Sequence, residues 1–273
     1  LRIGLAGLFM DVMDATKVNQ GKEMDRAYWD AVADDYDSEI FSVRENDTGG
    51  LVAGHITRLA NPDHVAADLG CGVGNFTPLL AAAFGRVHAC DLSAKLLAQA
   101  QRACGRWKNI DFFQTDLGQE AHPFEPVDFV LCVNVLIMAG LAARMGALRA
   151  VAAQVKHGGH LLLVTPSTES MLYTQFRRID WCLREGMNCD DAVRDSIPAN
   201  GLVRELHQGI RPIEGVPTKH HLREELMVLL RGHEMEVLSV EKLNYPWTTE
   251  FDSPPEWMEG PHPWDWLVVA RRK

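Results

Sequence analysis

Among six cysteines, at positions 71, 90, 104, 132, 182 and 189, no two share the C-x-x-C spacing of a zinc or redox site. Reduced, buried thiols are the expectation, because free cysteine behaves as a small apolar side chain. Cys182 and Cys189, seven apart, are expected to share a helix face by packing alone. No apolar run is long enough to cross a bilayer: the opening Leu1 to Met10 falls far short, and Arg2 alone resembles the basic start of a signal peptide. Neither export nor membrane association is expected, which points to a cytoplasmic protein. Positive charge is scarce as well. Lys and Arg number 27 against 37 Asp and Glu, for a formal net charge of −10. That balance opposes binding to a polyanion, since nucleic-acid proteins gain most of their affinity by neutralising phosphates. Internal repeats and low-complexity tracts are absent too.

What remains is ordinary globular material. Apolar residues make up 47% and charged residues 23% of 273, enough for one generous domain with a large core. Asp25 to Asp37 carries Tyr28, Val32 and Tyr36 at helical spacing, and Gly49 to Leu59 offers a second amphipathic helix before Asn61-Pro62 interrupts it. Short apolar runs of strand length follow at Val65 to Leu69, Arg86 to Asp91, Ile110 to Gln114, Val127 to Val133 and His160 to Thr165. Helical stretches at Asn75 to Phe84, Ala94 to Cys104 and Leu141 to Val155 separate most of them. Strand and helix alternating at this spacing mean right-handed crossovers and a doubly wound, mostly parallel α/β sheet. The alternation then stops. Pro166 to Gly232 reads as a helical, polar insertion, and two strands, Glu234 to Leu243 and Asp265 to Arg271, close the chain. The expected organisation is a helical N-terminal lid over residues 1–54 and a domain over 55–273 with a helical cap inserted at about 167–233.

The clearest chemical signal lies between the first strand and its helix, in Asp68-Leu69-Gly70-Cys71-Gly72-Val73-Gly74-Asn75. Glycines let the backbone turn sharply and approach a ligand, and the carboxyl edge of such a sheet is where nucleotides bind. A dinucleotide fingerprint, G-x-G-x-x-G, requires a third glycine where this chain has Asn75 or, in the other register, Thr77. A nicotinamide dehydrogenase therefore fits poorly.

The run D-x-G-x-G-x-G resembles motif I of the class I S-adenosylmethionine-dependent methyltransferases. The resemblance extends to Asp91-Leu92 at the end of the second strand, Asp116-Leu117 after the third, the fourth-strand segment from Pro126 through Asn134 to Leu136, and Gly158-Gly159 before the fifth strand. It covers about residues 64 to 165. It implies S-adenosylmethionine as cofactor and S-adenosylhomocysteine as product, bound by Asp68, Gly70, Cys71, Gly72, Gly74, Asp91, Leu92, Asp116, Leu117 and Asn134. In that family the acid of the second strand binds the ribose hydroxyls and the Asp after the third meets the adenine amino group. The resemblance also implies seven strands in the order 3-2-1-4-5-7-6, the last antiparallel. Taken singly, Asp68 or Asp91 reads as a helix cap and the glycines as turn residues; the set together carries the reading.

The methyl donor is itself electrophilic, so alignment and exclusion of water are the main requirements, and no metal is needed. The acceptor is expected to be a small molecule methylated on O, N or S. Asn134-Val135-Leu136-Ile137 departs from the Asn/Asp-Pro-Pro-aromatic clamp of base-amine methyltransferases, and Cys132 follows Leu131 rather than the proline of cytosine-carbon enzymes. Nucleic-acid or protein methylation, and a non-catalytic binding protein, remain alternatives. Tyr36, in a segment resembling the N-terminal helix of small-molecule methyltransferases, is the lid candidate. His220 and Tyr173 in the insertion are the candidate catalytic residues, against the plainer readings of an exposed loop histidine and a packed aromatic. Trp247, Trp257, Trp264 and Trp266 around the loop Pro246 to Pro263 suggest either an aromatic enclosure for a cationic acceptor or simple rigid packing. The sequence does not separate a monomer from a homodimer.

Overall fold

A computed structural model describes residues 24–118, 123–197, 203–213 and 215–273. The apolar start Leu1 to Met10 and the first part of the expected lid lie outside those residues. The described chain begins with α1 (Arg26–Val32), capped by Asp25, whose carboxylate accepts from the Tyr28 amide at 2.9 Å. The single helix expected over Asp25 to Asp37 is instead α1, a 3-10 turn at Ala33–Asp35, and α2 (Tyr36–Glu39). Two adjacent aspartates with low helix propensity sit where it breaks. Short α3 (Val43–Asn46) and α4 (Leu51–Arg58) follow.

The alternating region folds as β1 (Asn61–Leu69), α5 (Thr77–Ala83), β2 (Phe84–Asp91), α6 (Ala94–Ala103), β3 (Ile110–Gln114), β4 (Val127–Val133), α7 (Leu141–Ala153) and β5 (Val155–Pro166). Ser93 caps α6 by accepting from the Leu96 amide at 3.2 Å, and Pro78 opens α5, where its missing N–H costs nothing. In the insertion come α8 (Thr168–Arg184), α9 (Cys189–Ser196), α10 (Val203–His207), the hairpin β6 (Ile210–Ile213) and β7 (Val216–Lys219), and α11 (Arg223–Arg231). Finally β8 (Met235–Asn244) and β9 (Trp264–Arg272) complete a seven-stranded sheet of order β3-β2-β1-β4-β5-β9-β8. Only β9 runs against its neighbours.

Both faces of this sheet are covered, which is why its strands read as continuous apolar runs. Along β5, Leu161 and Leu163 pack on one face with Val151 of α7 and Leu230 of α11. Leu162 and Val164 pack on the other with Ile56 of α4 and Leu80 of α5. The parallel strands direct their carboxyl ends to one edge. β8 is parallel to β5 because both oppose β9, so the loop after β8 leaves from that edge as well.

Two further expectations change. The insertion is not wholly helical, since β6 and β7 form a small sheet of their own. Cys182 and Cys189 lie on different helices, α8 and α9, with Cys189 exposed, while Cys71, Cys90, Cys104 and Cys132 are buried thiols. Among the described residues, no helix is long and apolar enough to cross a membrane.

Candidate functional site

The three alternating glycines are required by backbone geometry. Gly70, Gly72 and Gly74 all adopt positive φ, at 76°, 54° and 89°, a region open to glycine and strained for other residues. The amides of Gly70 and Cys71 both donate to the Cys90 carbonyl, at 2.8 and 2.9 Å, so the loop is stitched to the end of β2. A methyl group on Gly70 would stand 2.3 Å from Val135 Cγ2, and one on Gly72 would stand 2.7 Å from the Tyr36 hydroxyl oxygen. The turn is therefore held tight against the segment after β4 on one side and against α2 on the other.

Asp91, at the tip of β2, accepts from the Gly72 amide with Oδ2 and from the Ser93 amide with Oδ1, each at 2.9 Å. Burial raises its pKa, and the donated amides of Ser93, Gly72 and Leu92 oppose that rise. Asp68 is also buried, but its Oδ2 accepts from Thr77 Oγ1 at 2.7 Å. Desolvation pushes its carboxyl up to about 7, against the Thr77 bond and with a smaller push from Asp91.

A single cleft of about 2450 Å³ runs along this edge of the sheet. Gly70, Gly72, Asp91, Leu92, Asp116 and Leu117 line one end. Asn134 and Tyr36 line it as well, whereas Asp68, Cys71 and Gly74 do not. Gly74 instead lets the loop lie against α6, where an added methyl would meet Ala100 Cβ and Cys104 Sγ at 3.2 Å. Asn134 holds φ at 53°, and its buried Oδ1 has no hydrogen-bond partner among the described residues. Such a carbonyl, in strained backbone beside a cleft, is the kind of acceptor a polar ligand would satisfy. Tyr36 lies above the loop, and α1 with the 3-10 turn after it is moored to α6 by Gln99, which donates to the Ala33 carbonyl at 2.6 Å, and by Ser93, which donates to Asp30.

The other end of the cleft lies under the insertion. His220 lines it and is 8% exposed, so the exposed-loop reading is overturned. The reason is backbone pairing invisible in local sequence. Residues 218–221 wedge between the turn after β4 and the end of β5, with the Lys219 amide donating to Ile137 and the His221 amide to Pro166, both at 2.8 Å. Extended backbone sends alternate side chains to opposite sides. Lys219 and His221 turn inward, to Glu225 at 2.7 Å and to Thr165 Oγ1 at 2.9 Å, and His220 turns to the cleft. Its Nδ1 meets the Thr218 carbonyl at 3.2 Å; a carbonyl only accepts, so Nδ1 carries the proton and Nε2 the lone pair. Burial holds its pKa down at about 4, with Arg211 and Lys219 adding to the fall and the Thr218 bond opposing it.

Tyr173 is not brought to the cleft wall. Its hydroxyl donates to the Pro261 carbonyl at 3.0 Å, and its ring packs against Trp247 and Trp264. Three of the four tryptophans already hold the protein's own cations. The Arg177 guanidinium lies 5.5 Å from the Trp247 ring and 5.6 Å from the Trp257 ring, and Lys242 Nζ lies 3.4 Å from the Trp264 ring. Packing is thus the role of Trp247 and Trp257, while Trp264 also lines the cleft. Missed by sequence reasoning were Arg211 and Glu250, which also line the cleft. Neither sits in a motif, and only the return of β6 and of the loop after β8 to the same edge brings them together.

Known proteins bear on this geometry. Residues 66–159 match the methyltransferase domain family. No curated protein sequence matches the chain. Among solved structures, a DhpI complex with SAM and HEP is 19% identical, with 90% of this chain and 94% of that one covered at a TM-score of 0.57. Magnesium protoporphyrin IX methyltransferase ChlM from Synechocystis, with bound SAH, is 17% identical over 91% and 98% at 0.59. The N-methyltransferase NodS from Bradyrhizobium japonicum, in complex with SAH, is 14% identical over 90% and 97% at 0.57.

Proposed function

We propose that this chain, a class I S-adenosylmethionine-dependent methyltransferase, moves a methyl group to O, N or S of a small molecule held beneath the inserted cap. The observation that carries the reading is the single cleft, continuous from the glycine loop to His220. Its roughly 2450 Å³ exceeds the ~300–1,000 Å³ of a one-ligand pocket, leaving room for cofactor and acceptor end to end. The net charge of −10 speaks against a nucleic-acid acceptor. DhpI, ChlM and NodS, of like fold, are described with small ligands or as methyltransferases, in keeping with this reading.

When bound, the cofactor supplies an electrophilic methyl group on a sulfonium. In this proposal Asp91 receives the ribose hydroxyls, Asp116 the adenine amino group, and Asn134 Oδ1 the ammonium of the methionine end. The amides around Gly70 and Gly72 shape the turn that admits the ligand. Asp68, Cys71 and Gly74 act from behind, by fixing that turn. Residues up to 54, with Tyr36 over the glycine loop, serve as lid, and residues 167–233 of the domain over 55–273 serve as cap. Together they exclude water, and holding acceptor and methyl carbon in line is worth roughly 7–11 kcal/mol of barrier.

His220 is the proton acceptor in this proposal, because its Nε2 lone pair is available on the cleft wall. His220→Ala is expected to leave S-adenosylhomocysteine affinity within about twofold and to lower kcat by about a hundredfold for an acceptor that loses a proton. Steady-state kinetics with unaltered kcat would remove it from the mechanism. Gly70→Ala is expected to weaken S-adenosylhomocysteine binding about tenfold or more, from αL strain plus the clash with Val135. Circular dichroism should stay at wild type, and unchanged affinity in calorimetry would count against the loop as ligand site. The whole reading is tested by calorimetry on the wild-type chain. Tight S-adenosylhomocysteine binding without response to nicotinamide dinucleotides is expected, and the reverse pattern rejects it.

A further inference from the structure

Among the described residues, three cations in or near the cap half of the cleft are spent on carboxylates. Arg178 pairs with Asp195 at 3.2 Å, Arg194 with Asp191 at 2.6 Å, and Lys219 with Glu225 at 2.7 Å. Arg211, on β6, has no carboxylate within salt-bridge distance among the described residues. Its guanidinium is nevertheless fixed. With the Gln175 amide turned so that its nitrogen donates to the Ser196 carbonyl, its oxygen accepts from both Arg211 Nη atoms at 2.8 Å. A guanidinium has five N–H donors in a rigid plane, so the rest of the fork remains unspent.

We propose that Arg211, oriented by Gln175, is a carboxylate-binding subsite, and that the methyl acceptor is a small carboxylic acid. The inference rests on the small-molecule methyltransferase reading above. An unpaired, half-desolvated charge lining a cleft marks a site because burial without a partner is costly. Burial works against the charge of Arg211, with only the more distant Glu250 supporting it.

The charge balance selects a monoanion. Glu250 shares this wall; it is reachable by solvent yet strongly desolvated, as a side chain facing a cavity rather than open water would be. Desolvation pushes its carboxyl up to about 7, and Arg211 is the group that opposes the rise. Buried Asp265, also on the wall, is raised to about 7 by burial, against the Tyr245 hydroxyl bond at 2.9 Å, with Glu250 adding to the rise. A ligand carboxylate engaging Arg211 holds Glu250 in its protonated form, since like charges in one cavity disfavour a second ionisation. Protonated Glu250 then becomes a hydrogen-bond donor toward the ligand. A dianion would set two charges against one guanidinium and two acidic neighbours. The same ligand charge offsets the influence of Arg211 on His220, one of the causes that depress that imidazole, and so makes it a better proton acceptor.

The test uses ligand-observed NMR on the full chain saturated with S-adenosylhomocysteine, with benzoic, phenylacetic and hexanoic acids each matched to its primary amide. The acids are expected to bind about tenfold or more tightly than the amides, the scale of one charge-assisted hydrogen bond. The preference should vanish in Arg211→Met and survive in part in Arg211→Lys. Acids that bind no better than amides to the wild type, weak or absent binding of both included, overturn the subsite without recourse to any variant. So does a preference that persists in a folded Arg211→Met protein. Calorimetric titration of S-adenosylhomocysteine into the unliganded full chain separates the failures: a wild type that ignores S-adenosylhomocysteine sinks the methyltransferase reading, whereas cofactor binding with no preference for acids sinks only this inference.

Discussion

Asp91→Ala is expected to weaken S-adenosylhomocysteine binding by about 5- to 150-fold, or about 1–3 kcal/mol, the cost of leaving buried polar groups without their partner. Two losses combine. The ribose hydroxyls lose the acceptor proposed for them, and the Gly72 and Ser93 amides lose the carboxylate that each meets at 2.9 Å. Asp91→Asn keeps the size and one carbonyl oxygen, and should fall between wild type and alanine. Titration calorimetry reads the affinity, and a thermal melt confirms that the apo protein is folded. An Asp91→Ala protein with undiminished affinity would reject the ribose role.

Glu225→Leu is expected to cost about 3 kcal/mol of stability, lowering Tm by roughly 6–12 °C. Lys219 is 4% exposed, and among the described residues its ammonium bonds only to the Glu225 carboxylate at 2.7 Å and the Gln208 carbonyl at 2.8 Å. Removing the carboxylate leaves a buried charge without counter-charge, which typically costs ~3–5 kcal/mol; the low end applies because Glu225 is itself 29% exposed. Glu225 Oε2 also accepts from the Leu222 amide at 3.3 Å, so the start of α11 loosens too. The double variant Lys219→Met, Glu225→Leu should recover much of the loss, because the orphaned charge is gone. Calorimetric melts of the two proteins check this, and equal Tm values for Glu225→Leu and wild type would contradict it. The functional effect should be confined to the acceptor end, since Lys219 immediately precedes His220 and closes the hairpin that carries Arg211.

The legible half of the molecule is the half whose information is local. Val65 to Leu69 and Val127 to Val133 read as strands because sheet faces covered on both sides need unbroken apolar runs, and Gly70, Gly72 and Gly74 read as a ligand turn because glycine adopts positive φ without strain. The strand order came with the family resemblance and matches the sheet. The acceptor half was poorly legible because its geometry arises between distant segments. His220 was placed on the surface, since nothing in Lys219-His220-His221 announces pairing to Ile137 and Pro166. The strands β6 and β7 were missed because Arg211-Pro212 and Pro217 interrupt the β pattern, with the two prolines facing each other across the hairpin. Arg211 and Glu250 are ordinary surface residues by sequence and become neighbours only through the fold.

The reversed strand has a consequence for how such a molecule can change. Every parallel strand delivers its last residue to the ligand edge; β9 delivers its first, Trp264 and Asp265, beside Asn244 at the end of β8. Both ends of the segment 245–263 are therefore riveted to the sheet at one rim. Insertions or deletions between those rivets alter a wall of the cleft and leave strand registry untouched. In the proposed function, holding the methyl donor and choosing its recipient would fall to separate stretches of chain, free to vary at different rates.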